Sequence, residues 1–121
     1  MNVTSGMIGF IVKDTSRNPA DYTNAFRPSG ISLMSRHSSD KKMVVASGTV
    51  KVQGWLDEVV RSLRDTIMAS GLPHGLVSLA LDVTNEEGWR EGRRYLIDTE
   101  NGHFRPVAYH EVYNAIAEYS A

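Results

Sequence analysis

Residues 54–71 read GWLDEVVRSLRDTIMASG. Leu56, Val59, Val60, Leu63 and Ile67 recur there at helical spacing and fall on an arc of about 100°, the width of a stripe that faces a core. Trp55 sits at one margin of the stripe, and Asp57, Arg61, Arg64 and Asp65 lie on the far side. The spacing predicts one amphipathic helix, with Gly54 at its N-cap. Asp57 and Glu58 favour the positive end of the helix dipole, Gly71 closes the helix in a left-handed conformation, and Pro73 prevents continuation. Burying five large aliphatic side chains is worth about 7–15 kcal/mol before ordering entropy, whereas each i,i+4 ion pair adds a few tenths. Packing therefore holds this helix, and a flat apolar surface must lie beneath it.

The surface is supplied on both sides of the helix in sequence. After it, Leu76–Val83 alternates Val77, Leu79, Leu81 and Val83 with Ser78, Ala80 and Asp82, which predicts a central strand whose larger face meets the helix. Before it, Gly30–Gln53 reads as a hairpin: Ile31 and Leu33 alternate on one arm, Val44, Ala46, Gly48, Val50 and Val52 on the other, and the polar tip is Ser35–Lys42. Met7–Val12 is an apolar run of strand length, and Gly9 within it marks a bulge or a close neighbour. Between these, Asn18-Pro19-Ala20-Asp21 has the form of a helix start, and Pro28 ends that short helix after Phe26.

Beyond Val83, Thr84–Gly92 reads as a polar connection. Arg93–Asp98 and His103–Val107 read as a second hairpin turning at Asn101-Gly102, with Pro106 placing its last strand at an edge. A second helix is expected over about Ala108–Tyr119, with Ala108, Val112, Ala115, Ile116 and Tyr119 on one stripe. The expected fold class is α+β: a single two-layer domain with a mainly antiparallel or mixed sheet of about six strands and two main helices packed on one face. The expected order is β-(short α)-β-β-α-β-β-β-α.

Composition narrows the function classes. The 121 residues include no cysteine, which excludes disulfides, cysteine-based zinc sites and thiol catalysis and accords with a cytoplasmic setting. No apolar run approaches about 18 residues, so no membrane partner is expected, and the N-terminal stretch reads as a strand rather than a signal peptide. A pI of about 6.4 argues against a dedicated nucleic-acid binder. Charge is unevenly placed: residues 1–53 carry seven Lys/Arg against three Asp/Glu, and residues 54–121 carry six against eleven. Unless the two halves interleave in the fold, such a molecule has two electrical faces, suited to a charged partner or to a homodimer.

No motif specifies a chemistry. There is no GxSxG elbow, no glycine-rich phosphate loop, and no metal-ligand spacing among His37, His74, His103 and His110. No catalytic residues, metal or cofactor are expected.

Three stretches have the composition of a binding surface. Trp89 with Arg90, Arg93 and Arg94 combines the residue types enriched in recognition hot spots, unless Trp89 folds over the sheet edge and the arginines pair with Glu86, Glu87 and Glu91. Arg36 and His37 open a basic hairpin tip that also holds Lys41 and Lys42. Tyr22 and Arg27 lie on the long connection after the first strand. The expected function is a small non-catalytic binding protein (an inhibitor, immunity or accessory factor) acting on a protein partner. One alternative is a binder of a nucleotide or other anionic small ligand at Trp89 and its arginines. Another is a small hydrolase or nuclease with a histidine-containing site.

Overall fold

The computed structural model describes residues 1–14, 16–97 and 102–121. Its centre is the strand that alternates most cleanly, β5 (Leu76–Thr84), paired antiparallel along β1 (Asn2–Val12). Ile8 opposes Leu79, Phe10 opposes Val77 and Gly6 opposes Leu81, so both strands present their large side chains to one side. β3 (Val44–Val50) flanks β1 on the other side and β2 (Ile31–His37) pairs beyond it. β6 (Arg90–Ile97) flanks β5, and β7 (Arg105–Val107) closes that edge. The sheet order is β2-β3-β1-β5-β6-β7, with the two-residue β4 (Gly54–Trp55) paired to the start of β1. The described residues thus form an α+β fold built on one antiparallel sheet of seven strands.

The first face of this sheet is the main core. Val3, Ile8, Phe10, Val12, Val44, Ala46, Val50, Val77, Leu79, Leu81, Val83 and Ile97 are buried there. Two helices cover it. α2 (Leu56–Ala69) delivers Val59, Leu63 and Ile67, while Leu56 and Val60 are only partly covered at the margin of its stripe. α1 (Ala20–Phe26) delivers Tyr22 and Phe26, whose rings pack on Phe10 at centroid distances of 6.1 and 5.1 Å. Asn18 accepts the Ala20 N–H through its side chain, as the helix-start reading requires.

The helix predicted over Gly54–Gly71 forms, with a different beginning. Gly54 and Trp55 pair with Asn2 and Val3 as β4, and the Leu56 N–H donates to the Met1 carbonyl at 3.0 Å. Backbone just ahead of the first strand thus satisfies a helix-end donor that a side-chain cap would otherwise serve. Gly71 does adopt a left-handed conformation, φ 72°. β1 begins at Asn2, five residues before the apolar run. Its irregularity lies between Val3 and Ser5 and not at Gly9. Gly9 is instead a close-approach position, where a Cβ would stand 3.1 Å from Ser78 Oγ. Thr84–Gly92 is not a connection throughout, because Asn85–Trp89 is a tight turn and β6 starts at Arg90. The Asn101-Gly102 turn falls largely outside the described residues.

The last helix, α3 (Tyr109–Ser120), corrects the expected layering. It does not join α2. Val112 borders Met7, Gly9, Ser78 and Ala80, the Tyr119 hydroxyl accepts the Lys13 N–H, and Arg94 lies over the Tyr109 ring, all on the second face of the sheet. Gly9, Ser78 and Ala80 are small enough to admit a helix, and Leu76 and Leu96 are buried on that side, outside the main core. Helices therefore lie on both faces. Truncating Phe10 to Ala removes the ring on which α1 packs, and a loss of about 3–5 kcal/mol is expected in denaturant unfolding.

Candidate functional site

The β5–β6 turn is built by one asparagine. The Asn85 N–H donates to the Trp89 carbonyl at 2.9 Å, while Asn85 Oδ1 accepts the Glu87 and Trp89 N–H groups at 2.9 and 3.0 Å. Gly88 takes φ 83°, the left-handed position that a three-residue hairpin loop demands. Asn85-Glu86-Glu87-Gly88 was therefore a readable hairpin signal in a stretch whose polarity suggested a loop. Trp89 stands at this turn with 68% of its surface exposed, so it is not a lid folded over the core.

The arginines that follow do not converge on Trp89. β-strand alternation sends them to opposite faces. Arg93 pairs with Leu81 in register and so shares the α2 face. Its guanidinium meets Glu91 Oε2 at 3.1 Å and Met1 Sδ at 3.4 Å, and its Nε is buried without a hydrogen-bond partner among the described residues. Arg94 pairs with Ala80 on the second face and stacks 4.5 Å over the Tyr109 ring. Arg90 pairs with Thr84 on that second face and is exposed. One exposed tryptophan and one exposed arginine, adjacent in sequence, remain at the turn. The clustered pocket expected of Trp89, Arg90, Arg93 and Arg94 is not assembled.

The two other candidate stretches separate as well. Tyr22 is 1% exposed and donates its hydroxyl to the Pro73 carbonyl. It belongs to the core, and burial raises its pKa above the ordinary 10.0. Its aromatic i,i+4 partnership with Phe26 was a packing signal. Arg27 is exposed on the short 3-10 turn Arg27–Ser29 that leads into β2. Arg36 and His37 are exposed at the far end of β2. The tip beyond them is ordered: the Ser38 N–H donates to the Met43 carbonyl at 2.8 Å, and Asp40 accepts from Ser38 and Lys42. These contacts hold the Asp40 carboxyl below its usual pKa.

A cleft of about 540 Å³ between α2 and the β6–β7 end escaped the sequence reading. Arg61, Arg64, Tyr95, His103 and Phe104 line it together with Asp57 and Asp65. Arg64 Nε donates to the Gly102 carbonyl at 3.1 Å, which fixes one wall. Among the described residues no three His, Cys, Asp or Glu side chains are placed to hold a metal ion, and no helix is long and apolar enough to cross a membrane.

No family model, no curated protein and no solved structure matches this chain.

Tyr22 gives a pH test with a definite sign. Its raised pKa means that the folded state favours the protonated phenol, so stability is full below about pH 10 and declines as pH rises through the folded pKa. Urea midpoints measured from pH 8 to 11 are expected to fall at the alkaline end, and Tyr22→Phe is expected to flatten part of that fall.

Proposed function

We propose that this chain is a small non-catalytic binding protein, an inhibitor, immunity or accessory factor, acting on a protein partner in the cytoplasm. The observation that carries the reading is Trp89, an exposed indole fixed on a rigid turn. A large apolar ring held in water gains most when a partner buries it, and tryptophan and arginine are the residue types that dominate interface hot spots. The turn is pre-organised by Asn85, so little ordering entropy remains to oppose docking. The exposed Arg90 that follows Trp89 in sequence supplies a charge-assisted donor at the same end of the sheet, and the exposed Glu86 and Glu87 add acidic groups to the turn. The lack of cysteine supports the cytoplasmic setting.

A second reading, a nucleotide or other anionic small ligand, is favoured by a different feature from the one the sequence suggested. Arg93 and Arg94 are committed to opposite faces, whereas the cleft lined by Arg61, Arg64, Tyr95 and His103 combines cations with an aromatic wall. The hydrolase or nuclease alternative would also centre on His103, the one histidine in that cleft.

Trp89→Ala is expected to leave thermal stability within about 0.5 kcal/mol of wild type, since the ring is exposed. It is expected to weaken partner capture by about 30-fold or more, the loss of a hot-spot residue. Equal recovery of partner by wild type and variant in a quantitative pull-down sinks the protein-binding reading. A thermal shift of the wild type with a nucleotide or inorganic phosphate, abolished by Arg61→Ala, favours the second.

A further inference from the structure

The spacing of Asp57 and Arg61 permits an i,i+4 salt bridge that α2 does not make. Both side chains are exposed and both line the cleft between α2 and the β6–β7 end. Among the described residues neither takes an ion pair or a hydrogen bond. The other two charges on that wall are engaged. Arg64 Nη1 meets Asp65 Oδ1 at 3.1 Å, and Arg64 Nε donates to the Gly102 carbonyl. The cleft therefore presents one free carboxylate and one free guanidinium, a helical turn apart, beside an acid and a base that neutralise each other.

The remaining lining is apolar and aromatic. α2 turns Val59, Leu63 and Ile67 into the core, whereas Val60 borders the cleft and is half-buried. The other wall is Tyr95, Phe104 and Pro106. Tyr95 pairs with Pro106 in register, and its ring meets Phe104 edge-on at a centroid distance of 6.3 Å. The free acid is close enough to be felt at these rings. Burial raises the Tyr95 phenol above its ordinary 10.0, Arg93 opposes the rise, and the charge of Asp57 adds to it.

We infer that this cleft binds the zwitterion of an aromatic α-amino acid. The α-carboxylate takes the fork of Arg61, the α-ammonium takes Asp57, and the ring lies against Tyr95 and Phe104. Side chains at i and i+4 start about 5–6 Å apart at Cβ, which lets the two charges close on groups carried by one carbon. Charge-assisted hydrogen bonds then form at both ends of the ligand. With His103 neutral, the charges of Asp57, Arg61, Arg64 and Asp65 sum to zero. A nucleotide brings two or more negative charges to that neutral lining and gains little Coulomb energy from it. A plain carboxylate leaves Asp57 unopposed next to its own charge, and a plain amine does the same to Arg61. The volume of about 540 Å³ lies within the range of small-molecule sites. This inference takes its location from the small-ligand reading of the cleft but changes the ligand from a net anion to a zwitterion. It is independent of the partner proposed at Trp89.

Calorimetric titration with L-phenylalanine is expected to show saturable binding with a Kd of about 1 mM or tighter. Phenethylamine lacks the carboxylate, 3-phenylpropionate lacks the ammonium and L-alanine lacks the ring; each is expected to bind at least about fivefold more weakly. Asp57→Asn and Arg61→Gln, both at exposed positions, are each expected to weaken phenylalanine binding at least about fivefold with an unchanged circular dichroism spectrum. Phe104→Leu keeps an apolar side chain, removes the ring and is expected to weaken it as well. Glu58→Gln, next to Asp57 but outside the cleft, and Trp89→Ala are expected to leave it unchanged. In nuclear magnetic resonance spectra the ring signals of Tyr95 and Phe104 are expected to shift as phenylalanine is added, while those of Trp89 stay in place.

No saturable binding up to about 10 mM phenylalanine overturns the inference. So does phenethylamine or 3-phenylpropionate binding as tightly as phenylalanine, or phenylalanine binding that survives both Asp57→Asn and Arg61→Gln. If a nucleotide or inorganic phosphate gives an Arg61-dependent thermal shift and phenylalanine gives none, the anionic reading of the cleft stands and the zwitterion is refuted. If phenylalanine binds as described and neither anion does, the zwitterion is supported and the anionic reading is refuted.

Discussion

Everything in this fold depends on the pairing of β1 with β5. The two strands run antiparallel through the middle of the sheet and place Ile8, Phe10, Leu79 and Val77 on one side, with Gly9 and Ser78 on the other. The asymmetry of side-chain size decides how the layers stack. The large side gains most from burial and takes two helices, with α2 contributing Leu63 and Ile67 and α1 contributing Tyr22 and Phe26. The small side admits a helix closely but rewards it less, so α3 is held by its edges. Arg94 lies on Tyr109 at one end, and Lys13 meets Tyr119 by a hydrogen bond and at 5.0 Å from its ring at the other. One short helix cannot span a sheet of this width, and part of that side stays uncovered, with Met7 and Met34 exposed on it.

The same constraint distributes the charges. Strand alternation separates neighbouring residues, so the arginine-rich run of β6 cannot form a single cluster. Arg93 is drawn to Glu91 on the α2 side and Arg94 to an aromatic ring on the α3 side. What remains accessible is set by where pairing ends: the Trp89 turn at one end of the sheet, the basic β2–β3 tip and the α3 C-terminus at the other. The exposed aromatic and basic side chains of the sheet thus gather at its ends.

How much of this was legible depended on whether one periodicity spoke alone. The stripe of α2 and the alternation of β5 are each unambiguous and give their elements, their pairing faces and the α+β class. The position of α3 was not legible, because Ser78, Ala80 and Asp82 look like a solvated face when read by polarity. Their smallness is the relevant property, and the signals beside them are Leu76 and Leu96, buried at the same side. Trp89 was recognised as exposed-looking, but the turn that fixes it was read as loop because Glu86 and Glu87 masked the Asn85…Gly88 spacing. Tyr22 illustrates the converse error. A tyrosine on a long connection suggests recognition, yet its phenol satisfies a loop carbonyl and its ring fills the core. The cleft of Asp57, Arg61, Tyr95 and Phe104 needed the placement of α2 beside β6 and β7, since those residues lie far apart in sequence.

The opposite placement of α2 and α3 is the claim on which the two-sided layering and the separation of Arg93 from Arg94 rest. Nuclear Overhauser contacts from the Val112 methyl groups test it directly. The structure predicts contacts to Ser78 and Ala80 of β5. Contacts from Val112 to Leu63 or Ile67 of α2 would contradict it, because they would place both helices on the same side of the sheet.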